Sequence, residues 1–325
     1  MSDRLTLALE RGVVALPDGD MLVLGAIADS DLSAFDQERT QVHTRSATVA
    51  AQLAAQGWST ETGDDYAVVA LFLPRARAAQ RAYVKHARTL CAGPIIIDGS
   101  KTDGVDALYR DLKGRADVTE AWSKAHGKVF TITGGDFADW PDLDIAQATD
   151  SWWRGPGVFS ADGIDKASEL LAQALPVTLK GSVVDLGAGW GYLGDAILKR
   201  DGVTALHMVE DDSLAAKAAA ANISDPRAHV HWADARSWRP DALVDHVVTN
   251  PPFHTGRAAE PALGQAFIRA AADMLKPKGS LWLVANRQLP YEGTLEDAFR
   301  NVQTLTQNPS FKLFHATSPN PRRKG

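Results

Sequence analysis

A single cysteine, Cys91, stands in the whole chain. It excludes an internal disulfide and any metal site built from clustered thiolates, and it fits a reducing compartment. No apolar run approaches the ~18 residues of a membrane span. Met1-Ser2-Asp3-Arg4 opens without the basic-then-apolar pattern of a secretory leader. The expected location is therefore the cytoplasm, with no membrane partner and no metal. Positive charge is also scarce: 34 Lys and Arg against 40 Asp and Glu give a net −6. A protein that coats nucleic acid by bulk electrostatics is disfavoured, although a local basic face could still dock on phosphates.

What is present is ordinary globular material, 45% apolar and 23% charged. At 325 residues the chain is long enough for about two domains. The first half carries apolar runs that read as buried strands: Met21–Ile27, Tyr66–Leu73, Pro94–Ile97 and Val129–Ile132. A helical pattern at Ala76–Leu90 lies among them. Such alternation predicts a parallel sheet flanked by helices. No G-x-G turn follows the first strand; Leu24-Gly25-Ala26-Ile27-Ala28-Asp29 stands in its place. Polar, Pro- and Gly-rich text fills Thr133–Gly157 and puts a domain boundary near residue 150.

The second half repeats the alternation. Helices are predicted at about Asp165–Leu175, Tyr192–Lys199, Ser213–Asn222, Ala262–Leu275 and Leu295–Thr304. Strands are predicted at Ser182–Leu186, Ala205–Glu210, Val230–Trp232, Val244–Thr249, Leu281–Ala285 and Phe311–Ala316. Lys276-Pro277-Lys278-Gly279 is expected to stop the fourth of these helices.

Two motifs carry chemistry. Val183-Val184-Asp185-Leu186-Gly187-Ala188-Gly189-Trp190-Gly191 reads as a strand, a glycine turn and a helix start. Glycine lets backbone approach a ligand closely. Glu210 closes the next strand, where a carboxylate can accept from both ribose hydroxyls. This pattern alone would suit a dinucleotide equally well. Asp185 inside the motif points instead to S-adenosyl-L-methionine (SAM), with the helix N-terminus facing the methionine carboxylate. Asp234, after the third strand, could accept from the adenine amino group, or cap a turn.

The second motif is Asn250-Pro251-Pro252-Phe253-His254, at the end of Val244–Thr249. An aromatic amine is a poor nucleophile because its lone pair is delocalised into the ring. Two acceptors, the Asn250 side-chain oxygen and the Pro251 carbonyl, can take its N–H bonds and draw the nitrogen toward tetrahedral geometry. Pro252 helps to hold the backbone by fixing φ. Phe253 can stack on a base. His254 could touch the substrate, act as a base, or be a structural donor. In the first half, Arg77, Arg81, Lys85 and Arg88 share one helix face, with Arg75 nearby. Their mutual repulsion could be relieved by RNA phosphates or merely by solvent. Pro321-Arg322-Arg323-Lys324 offers the same pair of readings.

Taken together, these residues resemble the bacterial ribosomal RNA guanine-N2 methyltransferases of the RsmC type, which act on 16S rRNA. Four stretches carry the resemblance: Gly155–Asp165, Asp185–Gly191, Asn250–Gly256 and Val284–Tyr291. It implies an α/β architecture of two tandem Rossmann-like class I methyltransferase folds. The N-terminal one (1–150) is degenerate and serves substrate recognition. The catalytic one (151–325) has a mostly parallel seven-stranded sheet. The implied SAM pocket uses Asp185, Gly187, Ala188, Gly189, Gly191, Glu210, Asp211, Asp234 and Asn250. Catalysis would rest on Asn250, Pro251, Pro252 and Phe253. The RNA would meet Phe253, His254, Arg77, Arg81 and Lys85, and the partner would be ribosomal RNA or the small subunit. A sister group acts on 23S rRNA, and related motifs occur in protein glutamine and small-molecule amine methyltransferases.

Overall fold

The computed structural model describes residues 4–252 and 261–321. The chain divides into two compact units, residues 1–146 with 155–157, and residues 147–154 with 158–325.

The first unit runs α1 (Arg4–Glu10), β1 (Met21–Leu24), β2 (Thr40–His43), α2 (Ala47–Ala55), β3 (Val68–Phe72), α3 (Arg77–Leu90), β4 (Ile95–Ser100), α4 (Val105–Lys113), β5 (Asp117–Val118), β6 (Trp122–Lys124) and β7 (Gly127–Thr133). Its sheet has the order β2-β1-β3-β4-β7-β5, with β6 also on β7. The first four strands are parallel, as the alternation predicts. The last three form antiparallel pairs that a purely parallel reading does not contain. A short ribbon of β8 (Ala146–Gln147) and β9 (Trp153–Arg154) follows in the chain.

The second unit runs α5 (Lys166–Ala174), β10 (Gly181–Leu186), α6 (Tyr192–Leu198), β11 (Val203–Glu210), α7 (Ser213–Asn222), β12 (Ala228–Trp232), β13 (Val244–Thr249), α8 (Pro261–Met274), β14 (Leu275–Asn286), α9 (Glu292–Ala298), β15 (Phe299–Gln307) and β16 (Phe311–Pro319). Seven strands are ordered β12-β11-β10-β13-β14-β16-β15. The first five are parallel, and β16 is antiparallel to both its neighbours. Apolar residues cover both faces, as a buried parallel sheet requires. Val183 joins one core cluster, while Val184 and Leu186 join the other. Each such buried aliphatic contributes roughly 1.5–3 kcal/mol relative to exposure.

Two sequence expectations in this unit are corrected. The helix expected over Leu295–Thr304 ends at Ala298, and Phe299–Gln307 is a strand. Leu295, Phe299 and Val302 fall at helical spacing, but pairing along β16 decides the conformation. The strand expected over Leu281–Ala285 begins at Leu275 instead. The expected stop at Lys276–Gly279 survives as an irregularity within it: Val244 opposes Leu275, and two residues later His246 opposes Ser280. A bulge is where a strand tolerates proline.

The two units share a central device. In each, the first strand lies between two parallel neighbours and ends on a glycine with positive φ: Gly25 (φ 75°) and Gly187 (φ 81°). Gly25 N donates to His43 O at 3.1 Å, and Gly187 N donates to Val209 O at 2.9 Å. Aligning these registers sets Val23 opposite Asp185, Thr44 opposite Glu210 and Phe72 opposite Asn250. The first unit thus keeps the strand-end glycine and lacks both acids and the amide.

That unit is closed by a buried ion pair. Arg4 Nε donates to Asp98 Oδ1 at 2.5 Å, with both side chains almost fully covered. Arg4 Nη1 also donates to Ala125 O at 3.1 Å. Its guanidinium fills the space that a side chain at Gly127 would need. Burial pushes Asp98 up to about 6, with Arg4 opposing. Arg4→Ala should therefore cost about 3–5 kcal/mol in urea unfolding, since it leaves a buried carboxylate alone. A loss below about 1 kcal/mol, the range of exposed pairs, would contradict this burial.

Candidate active site

The site forms at the carboxyl ends of β10, β11 and β13, where open α/β sheets bind ligands. Gly187 (φ 81°), Gly189 (φ 56°) and Gly191 (φ 99°) all lie in the left-handed region, which glycine occupies without steric cost. A Cβ on Gly187 would sit 3.2 Å from the Phe267 ring, whereas one on Gly189 would meet nothing within 4 Å. The turn's inner side is therefore packed and its crown open. Its amides are spent internally: Gly187 and Ala188 donate to Val209 O (2.9 and 3.0 Å), and Gly191 donates to Ala188 O (3.1 Å). These three amides are therefore engaged within the turn. The turn offers shape and close approach.

Two carboxylates lie beneath it. Glu210 Oε2 accepts from Gly189 N at 2.7 Å, and Oε1 accepts from Asp212 N at 2.9 Å. Each oxygen retains a further lone pair for a hydroxyl donor. Burial pushes the Glu210 carboxyl up to about 7 despite those two bonds. Asp185 is fully buried, and its oxygens have no partner at good hydrogen-bond geometry; only the Gly194 backbone amide is near enough to favour its charged form. Burial first, and the Glu210 charge second, push it up to about 8. An orphaned buried carboxylate calls for an explanation. A cationic ligand supplies one, so these groups fit a sulfonium cofactor bearing an ammonium.

Thr249 Oγ1 donates to Leu186 O at 2.6 Å and ties the end of β13 to the end of β10. Asn250 follows directly. Its Nδ2 donates to Asp165 Oδ2 at 3.0 Å and to Ser168 Oγ at 2.9 Å. Both amide hydrogens are thus engaged, and the Oδ1 end is left as the acceptor. Pro251 is buried and Pro252 exposed. Phe253 and His254 lie outside the described residues, as do Arg322 to Lys324.

Other expected positions behave differently. The Asp234 carboxylate forks onto Arg236, with Nε at 2.9 Å and Nη2 at 2.8 Å, and takes Arg236 N at 2.8 Å. It is engaged as a turn acid. The Asp211 carbonyl accepts from the Trp232 indole at 2.7 Å and holds that half-exposed ring beside Glu210. The basic face of α3 is also spent locally. Arg77 and Arg81 share Asp111 (3.1 and 2.7 Å), and Lys85 pairs with Asp142 at 2.7 Å. Arg88 caps its helix on the carbonyls of Cys91, Ala92 and Gly93. Intramolecular acids and carbonyls thus already relieve part of the repulsion along this face.

Sequence reasoning missed the support behind the turn. Trp190 is buried against Trp152 (5.0 Å between rings) and under the Arg154 guanidinium (4.3 Å), itself paired with Asp150. Asn222 holds Trp190 O and Trp153 O. It also missed Asp165 and Ser168 as partners of Asn250. The signal available was their place in the first turn of a helix entering the same segment.

A doubly wound sheet with paired acids under a glycine turn and an amide at the adjacent strand end defines a class I methyltransferase. The methyltransferase small-domain profile matches residues 151–315. Ribosomal RNA small subunit methyltransferase C of Hahella chejuensis is 32% identical over 278 residues, 76% of each chain. Ribosomal RNA large subunit methyltransferase G of Shewanella oneidensis is 28% identical over 274 residues, 78% of this chain and 70% of its own. A solved T. thermophilus 16S rRNA N2 methyltransferase, in complex with AdoMet and guanosine, superposes with a TM-score of 0.81. It is 25% identical and is matched over 94% of this chain and 90% of its own. The chain belongs to the methyltransferase small-domain family, in its ribosomal RNA small subunit methyltransferase C branch.

The buried acids make a measurable prediction. Both carboxyls titrate above their unfolded values near 4, so the folded state binds protons more tightly over that interval. Stability of the cofactor-free protein should then fall as pH rises from about 5 to 8. Asp185→Asn cannot ionise and should flatten this slope, raising Tm at pH 8 by at least ~2 °C. An equal or steeper decline of Tm in the variant would show that Asp185 is not the source.

Proposed function

We propose that the chain transfers a methyl group from SAM to the exocyclic N2 of a guanine in 16S ribosomal RNA. The observation that carries this reading is the fixed Asn250 amide. Its nitrogen is saturated by Asp165 and Ser168, and among the described residues no donor meets its oxygen, one residue beyond the strand tie at Thr249. The names of the relatives and the guanosine in the T. thermophilus complex support rRNA and guanine.

SAM, when bound, supplies an electrophilic methyl on a sulfonium. Glu210 would hold the cofactor by accepting from its ribose hydroxyls, and the Asp185 carboxylate, buried beneath the turn, would act on its positive charge through space. The open crown at Gly189 gives it room, beside Ala188 and Gly191. Asp211 contributes through the Trp232 ring that its carbonyl holds. Asn250 Oδ1 and the Pro251 carbonyl accept from the two amino hydrogens and draw the nitrogen lone pair out of the ring. Pro251 and Pro252 restrict the backbone that carries those acceptors. Catalysis is mainly alignment of an in-line transfer. The nitrogen gains the methyl as the C–S bond breaks, and the alkylated amine then loses its proton to water. In this reading Phe253 stacks on the base and His254 borders it.

The first unit serves substrate recognition. Its lack of acids at Val23 and Thr44 supports a body that binds no SAM. Calorimetry should therefore give one SAM site per chain; two equivalent sites would overturn the assignment. Asn250→Ala should lower kcat by about 10²–10³, as for one preorganised polar partner, with SAM binding retained. A near-normal kcat would end the alignment mechanism. Mass spectrometry of 16S rRNA from cells lacking the protein should find one N2-methylguanosine missing, and complete methylation would refute the substrate.

A further inference from the structure

We infer that Asp165 and Ser168 are positioning residues for the methyl-transfer step, acting through the orientation of the Asn250 amide. The inference rests on the reading of Asn250 Oδ1 as the acceptor for the target amine. Both residues belong to the start of α5, more than 80 residues away in sequence from Asn250.

An amide lacks a shape that tells its two ends apart. Its oxygen and nitrogen ends have nearly the same shape and opposite hydrogen-bonding character. Nothing in Asn250's own geometry fixes which end faces the substrate. Reversed, it would present hydrogens to an amine that also carries hydrogens, and the acceptor would become a repulsive donor.

A carboxylate removes that ambiguity, because it can only accept. Asp165 Oδ2 takes one Asn250 hydrogen at 3.0 Å, and Ser168 Oγ takes the other at 2.9 Å. A flipped amide would set its oxygen against the Asp165 oxygen in a partly buried place, leaving two acceptors face to face with no hydrogen between them. The acid also polarises the amide, drawing positive charge to Nδ2 and leaving Oδ1 the better acceptor.

The support is itself anchored. Asp165 is the N-cap of α5, and the same Oδ2 accepts from Ser168 N at 2.8 Å. Ala167, Leu171 and Leu175 of α5 and its C-cap pack into the core that also holds Val183 and Val248. The acid that aims the amide is therefore held by a helix bonded to the sheet that carries Asn250.

One carboxylate thus does two things, capping a helix and aiming an amide. The test must separate them. Serine is as good an N-cap as aspartate, but its shorter side chain cannot hold both Ser168 N and Asn250 Nδ2. Asp165→Ser should therefore keep its Tm and SAM affinity. Its kcat for methyl transfer to 16S rRNA should fall by about 10- to 100-fold, as small misplacements do, with KM little changed. Asp165→Asn retains one oxygen able to take both bonds and should recover part of the rate. If Asp165→Ser fails to fold, Ser168→Ala removes only the Oγ acceptor and leaves the cap; it should lower kcat in the same direction.

The deciding measurement is the double variant. On an Asn250→Ala background, Asp165→Ser should cost nothing further, because its effect passes through the amide. An equal additional loss there, or an unchanged kcat in a folded Asp165→Ser protein, would overturn the inference. An Asn250→Ala protein with normal turnover would instead strike the functional reading itself, and that single variant distinguishes the two failures.

Discussion

Two buried carboxylates at the ends of neighbouring parallel strands set the terms for the second unit. Asp185 and Glu210 are carried by β10 and β11, and neither sits where water can compensate its charge fully. Folding tolerates this because the sheet is built independently of them, by apolar residues on both faces. Glu210 recovers part of its solvation from two backbone amides, one of them the crown of the glycine turn. Asp185 recovers little, with only the Gly194 backbone amide to favour its charge. A positively charged ligand would relieve the charged form of both, which links cofactor affinity to the stability of the strand ends. In the first unit the charge is buried differently. Asp98 has Arg4 as a permanent counterion, so no ligand is needed to complete it.

The comparison between the units explains what a methyltransferase fold needs for stability and what it needs for chemistry. Gly25 and Gly187 make the same turn with the same amide bond to the neighbouring strand. That geometry belongs to the strand end itself: only Gly187 leads on to a helix, whereas the chain after Gly25 runs through an irregular segment to β2. Val23, Thr44 and Phe72, where the other unit has Asp185, Glu210 and Asn250, lose nothing the sheet depends on. An apolar residue at the first position removes a desolvation cost. The polar set is therefore an added burden on the second unit, maintained against stability, and this is the pattern expected of a working site.

Much of this was legible in the sequence, and the limits have physical causes. Buried parallel strands are continuous apolar runs, so Val183–Leu186 and Val244–Thr249 could be placed closely. Gly187, Gly189 and Gly191 marked backbone that only glycine adopts cheaply. The β15 segment misled because Leu295, Phe299 and Val302 have helical spacing, while its real constraint is a long-range ladder with β16. The basic row on α3 was legible only in part, for a related reason. Spacing shows that Arg77, Arg81 and Lys85 share a face, but it carries no information about Asp111 or Asp142, which reach that face from elsewhere. Asp165 was visible as a helix start and invisible as a partner of Asn250, because only the fold brings residues so distant in sequence together.

This last distinction bears on how a selective amine acceptor can be built from an amide. An aspartate in place of Asn250 would accept hydrogen bonds better, but a charge near Asp185 and Glu210 would add to an already costly cluster. An amide gives an acceptor without charge and leaves its orientation undetermined. Asp165 settles that orientation from behind, where its own charge is also used to cap α5. In the proposed arrangement the formal charge is kept on the far side of the amide from the amine, and the group facing the substrate is neutral. An aromatic amine gains a partial positive charge as it is methylated, and a polarised neutral oxygen stabilises that charge without holding the ground state as tightly as a carboxylate would. Differential stabilisation of that kind is what raises kcat. The pair Asp165–Asn250 is best understood as one acceptor divided between two residues, with the charge and the contact placed at opposite ends.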